Sequence, residues 1–280
     1  MAHQGSSPPR HSLANAYLPP PLLEDVHVLD ALELSGSQHT AATFLAVHQS
    51  TVSRSLRGLQ DQLDLARVQR TGACRHGRNA CLDLLRLACR AHRVMKGVLR
   101  IGTDGLHQGL LLKQETLQSV PPRFRKADQW AELVRLGLLD GAIVSSWALD
   151  GPLLQESVPR WSGIRVEPLG AVPLQLMARS RRPAGVLLPN RLSCPLLHQM
   201  LDRAGHTLVS QPRAAQESAA WLKRMNDWDL ALPLCPGLLS EAWLHEQALT
   251  PVRGDLPLDE RLWLLLPEQL EIPDPALSAH

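Results

Sequence analysis

The sequence predicts two unlike parts in one chain of 280 residues: a small helical unit near the N-terminus and a larger α/β unit after it. Three observations carry this. Over residues 22–63 apolar residues recur at helical spacing. A further helical stretch, "ACLDLLRLACRAHRVMK", follows at residues 80–96. From Val98 the texture changes to short apolar runs, "VLRIG", "GAIV", "VPLQLMA", "AGVLLP", "DLALPL" and "RLWLLLP", with helical or Pro-rich stretches between them. Strands alternating with helices imply a parallel or mixed sheet.

The first helix is read from "PLLEDVHVLDALELSG". Leu22, Val26, Leu29 and Leu32 share one side, Glu24 and Asp25 sit in the first turn, and Gly36 is a C-terminal stop. "HTAATFLA" forms a short second helix whose small Ala41 and Ala42 allow close approach by a neighbour. After the break "AVH", a third helix runs over residues 49–63. At ~100° per residue, Val52, Leu56, Leu59 and Leu63 share one arc and Ser50, Ser53, Arg54 and Arg57 another, with no acid in the second before Asp61. Two short helices joined by a tight turn, the second with such a polar side, form a helix-turn-helix. Such a helix fits the DNA major groove, where Ser and Gln reach base edges and Arg reaches guanine or phosphate. A solvated amphipathic helix is the plainer reading of the same periodicity.

Charge is uneven. Residues 54–100 carry eleven basic side chains against three acids, in a chain whose net charge is +2, and this suggests a local polyanion contact. Within that window "RVQRTGACRHGRNACL" contains Gly72 and Gly77 and suits a basic hairpin wing touching phosphates. The next helix places Leu84, Leu85, Leu87, Ala88 and Ala91 on its apolar side. It serves as a spacer, a dimer contact or a surface packed on the following domain. In the α/β unit, "TDG" leads into a helical "LHQGLLLKQETLQ", and "ADQWAELVRLGLLDGAIVSS" reads as helix, turn, buried strand.

The stretch "GSQHTAATFLAVHQSTVSRSLRGLQDQL" resembles the LysR-type bacterial transcription regulators. Gly36, Ser37, Ala41, Ala42, Leu45, Gln49, Ser50, Val52, Ser53, Arg54, Arg57, Leu59 and Leu63 match that family's pattern without a gap. "RTGACRHGR" looks like its wing, "VLRIG" like the strand opening its effector domain, and "LVRLGLLDGAIV" like its Leu-x-x-Gly-x-Leu-Asp-x-Ala-Ile segment. The resemblance covers about residues 22–266 and is tight only at the N-terminus. It departs at His48, a poorer helix cap than Ser, at Gln38 and Val68, in a connecting helix shorter than usual, in a first lobe trimmed between Gly105 and Trp130, and at "MNDWDLALPLCP", which lacks the usual glycines.

The Pro- and Ser-rich start of the chain reads as a disordered tail over 1–20, and the resemblance implies a winged helix-turn-helix over 21–79, a linker helix over 80–97 and a two-lobed, periplasmic-binding-protein-like effector domain over 98–280. Lobe I would take about 98–165 and 247–272, and lobe II about 166–246. It implies a sequence-specific regulator that binds double-stranded DNA as a homodimer or homotetramer, with a small-molecule effector in the cleft. Gln49, Ser50, Thr51, Ser53 and Arg54 would face bases, and Arg57, Arg70, Arg75 and Arg78 would meet phosphates. For an effector, Thr103, Ser145 and Ser146 stand at strand ends, and the N–H groups after Thr103 would suit an anion. The alternatives are a degenerate pocket acting through protein partners, or an interaction module without DNA binding.

Other classes find little in the sequence. It has no G-x-S-x-G elbow, P-loop or H-E-x-x-H, and its twelve His show no ligand spacing, so no catalysis, cofactor or metal is expected. No apolar run suits a membrane span or a signal peptide, and the expectation is a cytoplasmic protein. Cys74, Cys81, Cys89, Cys194 and Cys235 are scattered and read as reduced, mostly buried thiols. A redox pair of Cys194 with Cys235 is the less supported alternative.

Overall fold

A computed structural model describes residues 17–65, 72–111, 117–149, 158–211, 218–252 and 258–269. The helical unit contains α1 (Glu24–Ser35), α2 (Gln38–Leu45) and α3 (Gln49–Leu63), and α4 (Ala80–Met95) follows it. A 3-10 turn, Pro21–Leu23, leads into α1, and Gly36 ends α1 in the left-handed region at φ 76°. A Cβ at Gly36 would also collide with the Arg123 guanidinium. Ser37 caps α2, its hydroxyl accepting from the Thr40 N–H at 3.0 Å. His48 precedes α3 and makes no side-chain cap, as its chemistry leads one to expect.

α1 is buried on nearly every side, which explains why so much of it is buried despite its acids. Val28, Ala31 and Leu32 pack on Ala41, Ala42 and Val52. Val26 and Leu29 pack on Leu59, Leu65, Leu82 and Cys89. Each such aliphatic side chain contributes roughly 1.5–3 kcal/mol of burial. Leu22, expected on the apolar side, is exposed, and Leu23 fills the core instead, because the entering turn is 3-10 and shifts the phase. Of the expected disordered tail, residues 1–16 lie outside the described residues, but Tyr17 is buried. Its ring lies edge-on to His27 and its hydroxyl is 3.0 Å from His92 Nδ1, so ordered packing begins before residue 20.

The α/β unit comprises β1 (Leu99–Gly102), β2 (Leu117–Ser119), α5 (Ala127–Arg135), β3 (Gly141–Ser145), β4 (Ile164–Ala178), β5 (Gly185–Leu188), α6 (Pro195–Arg203), β6 (Leu208–Ser210), α7 (Ser218–Trp228), β7 (Leu230–Leu234), α8 (Glu241–Glu246), β8 (Thr250–Pro251) and β9 (Leu258–Pro267). The strand order is β2-β1-β3-β9-β4-β7-β5-β6. β1 pairs in parallel with β2 and β3, and β5 pairs in parallel with β6 and β7. One three-stranded unit is thus built twice, and the long antiparallel pair β4–β9 joins the two copies. This is a two-lobed α/β architecture. All six apolar runs picked out from the sequence lie in its strands. β8 pairs with the end of β4, so residues 250–251 sit with the second lobe and not with the first, where the expected boundary put them.

Two expected elements differ. Over "LHQGLLLKQETLQ" the described residues form no α-helix: they hold one 3-10 turn, Gln108–Leu110, and the start of β2, and residues 112–116 lie outside the described residues. Asp104 Oδ1 accepts from the N–H groups of Leu106 and His107 at 2.9 and 3.3 Å, which holds the chain in a turn. In the expected wing, residues 66–71 lie outside the described residues, and residues 72–79 form no strand. That segment is instead tied down. The Glu33 carboxylate accepts from the N–H groups of Arg75 and His76 at 2.8 Å, and Glu132 accepts from the Ala73 N–H at 3.0 Å.

Candidate functional sites

The polar side of α3 is open. Gln49, Ser50, Arg54 and Arg57 are exposed, while Thr51 and Ser53 are half-buried. Val52 and Leu59 hold the other side in the core, with Leu56 and Leu63 against it. Ala46, in the left-handed region at φ 54°, makes the turn from α2 compact, and the Val47 N–H bonds back to the Ala42 carbonyl at 3.0 Å. Among the described residues Arg54, Arg57 and Arg75 form no ion pair. Arg78 does: its guanidinium lies 2.9 Å from Asp83 and 3.5 Å from Glu132. Arg70 lies outside the described residues. The structure therefore brings Gln49 through Arg57 together on one surface, and it commits Arg78 to acids of α4 and α5.

The charge reading of residues 54–100 needs correction. Arg86, Arg90, Arg93 and Arg100 are buried and cannot meet a polyanion. Arg86 Nε donates to Asp30 at 2.8 Å. Arg93 forks onto Asp140 at 2.9 and 2.8 Å and reaches the Gly137 carbonyl at 2.9 Å. Arg90 donates to the carbonyls of Val134 and Leu139. These arginines face inward from α4, so its expected apolar side, with Leu84 and Leu87, faces solvent. Gly137, at φ 86°, lets the turn after α5 approach α4; a Cβ there would lie 3.0 Å from the Arg86 carbonyl oxygen.

The same chemistry docks α1 on the α/β unit. Arg125 Nη2 donates to the carbonyls of Glu33 and Leu34 at 2.8 and 2.9 Å, and Arg123 Nη1 donates to that of Ser35 at 2.8 Å. Cations thus satisfy carbonyls at the end of α1 that have no helical partner. Arg100 Nη2 lies 2.7 Å from His27 Nδ1. Burial, then the charges of Arg100 and Arg93, push the His27 pKa down to about 2, so the imidazole is neutral and accepts at Nδ1. Burial also lowers Arg100 and Arg90 to about 10 and Arg125 to about 9. For Arg93, burial opposes the charge, but Asp140 outweighs it and raises the pKa.

The strand-end residues form a second, closed site. Thr103, Ser145 and Ser146 are all buried. The N–H groups after Thr103 that would suit an anion are taken by Asp104. The same carboxylate oxygen lies 2.7 Å from His107 Nδ1. His107 Nε2 is 2.9 Å from Glu260 Oε2, and the Cys235 thiol donates to that oxygen at 3.1 Å. Ser145 Oγ donates to the other oxygen of Glu260, and Ser146 Oγ accepts from the Arg261 N–H at 3.2 Å. Burial opposes protonation of His107, but Asp104 and then Glu260 outweigh it and hold its pKa well above the usual value. Burial pushes the Cys235 thiol up to about 12. His107, Cys235 and Glu260 each offer a ligand atom, all within 4.8 Å of one another, where no metal ligand was expected. Sequence reasoning missed them because no local spacing links them. The one hint was Asp104, three residues before His107. All five cysteines are free, and only Cys81 is exposed.

No family model matches the chain, and no curated protein matches it. Solved structures do. ArgP from Mycobacterium tuberculosis is 21% identical over 92% of this chain and 93% of that one, with a TM-score of 0.44. The probable transcriptional regulator PA0477 from Pseudomonas aeruginosa is 20% identical over 88% and 93%, with a TM-score of 0.43. CbnR, a LysR family transcriptional regulator, is 16% identical over 90% and 94%, with a TM-score of 0.47. Over about nine-tenths of its length, the chain is similar to transcription regulators that include LysR family members.

Proposed function

We propose that the chain is a sequence-specific DNA-binding transcription regulator of the LysR type, acting as a homo-oligomer. The observation that carries this is the exposed polar side of α3 over its first turns, where Ser50, Arg54 and Arg57 face outward and no acid stands before Asp61. Gln49, Ser50, Thr51, Ser53 and Arg54 read bases, while Arg57 and Arg75 neutralise phosphates. Arg78 joins them only by leaving Asp83 and Glu132. Arg54→Ala should cost about 1–3 kcal/mol on the operator and relax preference at one base position. Titration against operator and shuffled duplex measures both. Equal weakening on the two duplexes would remove Arg54 from base reading.

The oligomer is assigned to α4. Cys81, Leu84, Ala88, Ala91 and Met95 are exposed at alternating spacings of three and four, a heptad seam with no partner among the described residues. Leu84 is 68% and Met95 82% exposed, which two copies packed along this stripe would relieve. Sedimentation at micromolar concentration should give at least a dimer, and Leu84→Glu should give a monomer that remains folded. A wild-type monomer at every concentration is incompatible with the assignment.

Effector control is proposed for the strand-end cleft at Thr103, Ser145 and Ser146. One observation argues against an organic anion there: Asp104 and Glu260 already occupy the surrounding donors.

A further inference from the structure

We propose that the cleft between the lobes is a binding site for a divalent transition metal such as Zn2+, with His107 Nε2, Cys235 Sγ and Glu260 Oε2 as ligands. This names the ligand class of the effector cleft, and the metal assignment itself stands or falls independently of DNA binding.

The donor set comes first. One imidazole nitrogen, one thiol sulfur and one carboxylate oxygen suit Zn2+ or Co2+, whereas Mg2+ and Ca2+ need mostly oxygen ligands. The three residues are buried and converge from different elements: His107 after β1, Cys235 directly after β7 and Glu260 in β9. The separations of 2.9 Å between Nε2 and Oε2 and 3.1 Å between Sγ and Oε2 are a few tenths of an ångström short of the ~3.3–3.5 Å edges of a tetrahedral site. Small side-chain shifts open it.

The groups behind the ligands are arranged as metal sites require. Asp104 Oδ1, at 2.7 Å from Nδ1, keeps a proton on that nitrogen, so Nε2, facing Glu260 and Cys235, is the one that gives up its proton to a metal. Ser145 holds the outer oxygen of Glu260 and leaves Oε2 to the centre. Nε2 is buried and has no hydrogen-bond partner, because Oε2, although near, lies off the direction a ring N–H needs. Without metal, a proton on Nε2 is what makes this close approach to the carboxylate favourable, and a metal cation between the two atoms takes the place of that proton. The Thr103 hydroxyl, beside Asp104 in the chain, is likewise buried without a partner, a second unsatisfied polar atom at this strand end. Metal binding releases the protons of His107 Nε2 and the Cys235 thiol, and the dication then balances the thiolate and one of the two carboxylates, Asp104 and Glu260.

The ligands also span the fold. His107 belongs to the first lobe, Glu260 to the strand joining the lobes and Cys235 to the second lobe. A bound metal therefore pins one lobe to the other.

The test uses the full chain, stripped with a chelator and titrated with Co2+ alone. The expected result is saturation at about one equivalent per chain, with a thiolate-to-cobalt charge-transfer band in the near ultraviolet and visible bands of tetrahedral strength. Zn2+ should displace the cobalt and raise Tm. Cys235→Ser should abolish the charge-transfer band, and Cys81→Ser, which alters the exposed cysteine, should leave it intact. His107→Gln should lower affinity at least tenfold. Should that variant not fold, Glu260→Gln provides the same readout with less change in shape. Absence of saturable uptake by the folded wild-type chain overturns the proposal and makes the cluster a self-satisfied network. A band that survives Cys235→Ser but disappears in Cys81→Ser overturns it too, by placing the metal on the surface. DNA titration run in parallel separates these outcomes from a failure of the regulator reading.

Discussion

Asp140→Ala is expected to destabilise the folded chain by about 3–5 kcal/mol, seen as a lower urea midpoint and a faster proteolytic release of the helical unit. Asp140 is fully buried. It accepts the Arg93 fork at 2.9 and 2.8 Å and the Arg100 backbone N–H at 2.7 Å, and Arg90 Nε stands 3.8 Å away. Removing it leaves Arg93 buried without its counter-ion and orphans a backbone donor. The cost is that of the uncompensated charge, not the net worth of the pair. The double change Arg93→Met with Asp140→Leu should therefore recover most of the loss, since an apolar pair of similar volume removes both charges. A loss below about 1 kcal/mol for Asp140→Ala would mean that α4 rotates its arginines to solvent and is not fastened to the α/β unit as described. The prediction matters for function because α4 is both the fastening to the α/β unit and the proposed oligomer contact.

Legibility in the sequence followed the range over which each feature is encoded. α3 was readable because its two faces differ at local spacing: Val52, Leu56, Leu59 and Leu63 against Ser50, Ser53, Arg54 and Arg57. The strands were readable because parallel strands covered on both sides appear as unbroken apolar runs, such as "GVLL" and "LALPL". α4 was not. It is amphipathic, and local rules place Leu84 and Leu87 inside and the arginines outside. Its orientation is decided by acids far along the chain, Asp30 and Asp140, at separations of 56 and 47 residues. Burying an arginine requires such a partner, and the sequence does not display pairings. In the expected wing, residues 66–71 lie outside the described residues, and what the sequence does not display is that Glu33 and Glu132 hold the backbone N–H groups of residues 73–76. The metal-ligand cluster is the extreme case, with residues 107, 235 and 260 assembled only by the crossing of β9 between the lobes.

DNA affinity should fall by ~10² or more between 50 and 200 mM salt, and the arginines responsible are selected by the fold. Counted from the sequence, the basic window has far more charge than this. Burial withdraws Arg86, Arg90, Arg93 and Arg100, and Asp83 with Glu132 neutralises Arg78. Among the described residues of the window, Arg54, Arg57 and Arg75 remain as exposed arginines without an ion pair. With Arg54 on the bases, Arg57 and Arg75 bring four phosphate contacts to a dimer, and each phosphate neutralised contributes about −0.9, so log K should fall against log salt with a slope of roughly −3.6 or steeper. Arg57→Ala should make that slope shallower by about 1 per site and weaken operator and random duplex alike, while Arg54→Ala acts mainly on the operator. Glu132→Gln tests the withdrawal of Arg78. Loosening that pair should steepen the slope if Arg78 then reaches phosphate, and leave it unchanged if Asp83 alone keeps it home. A slope near zero for the wild type would mean that the open side of α3 is a solvated surface, and the DNA reading would fall with it.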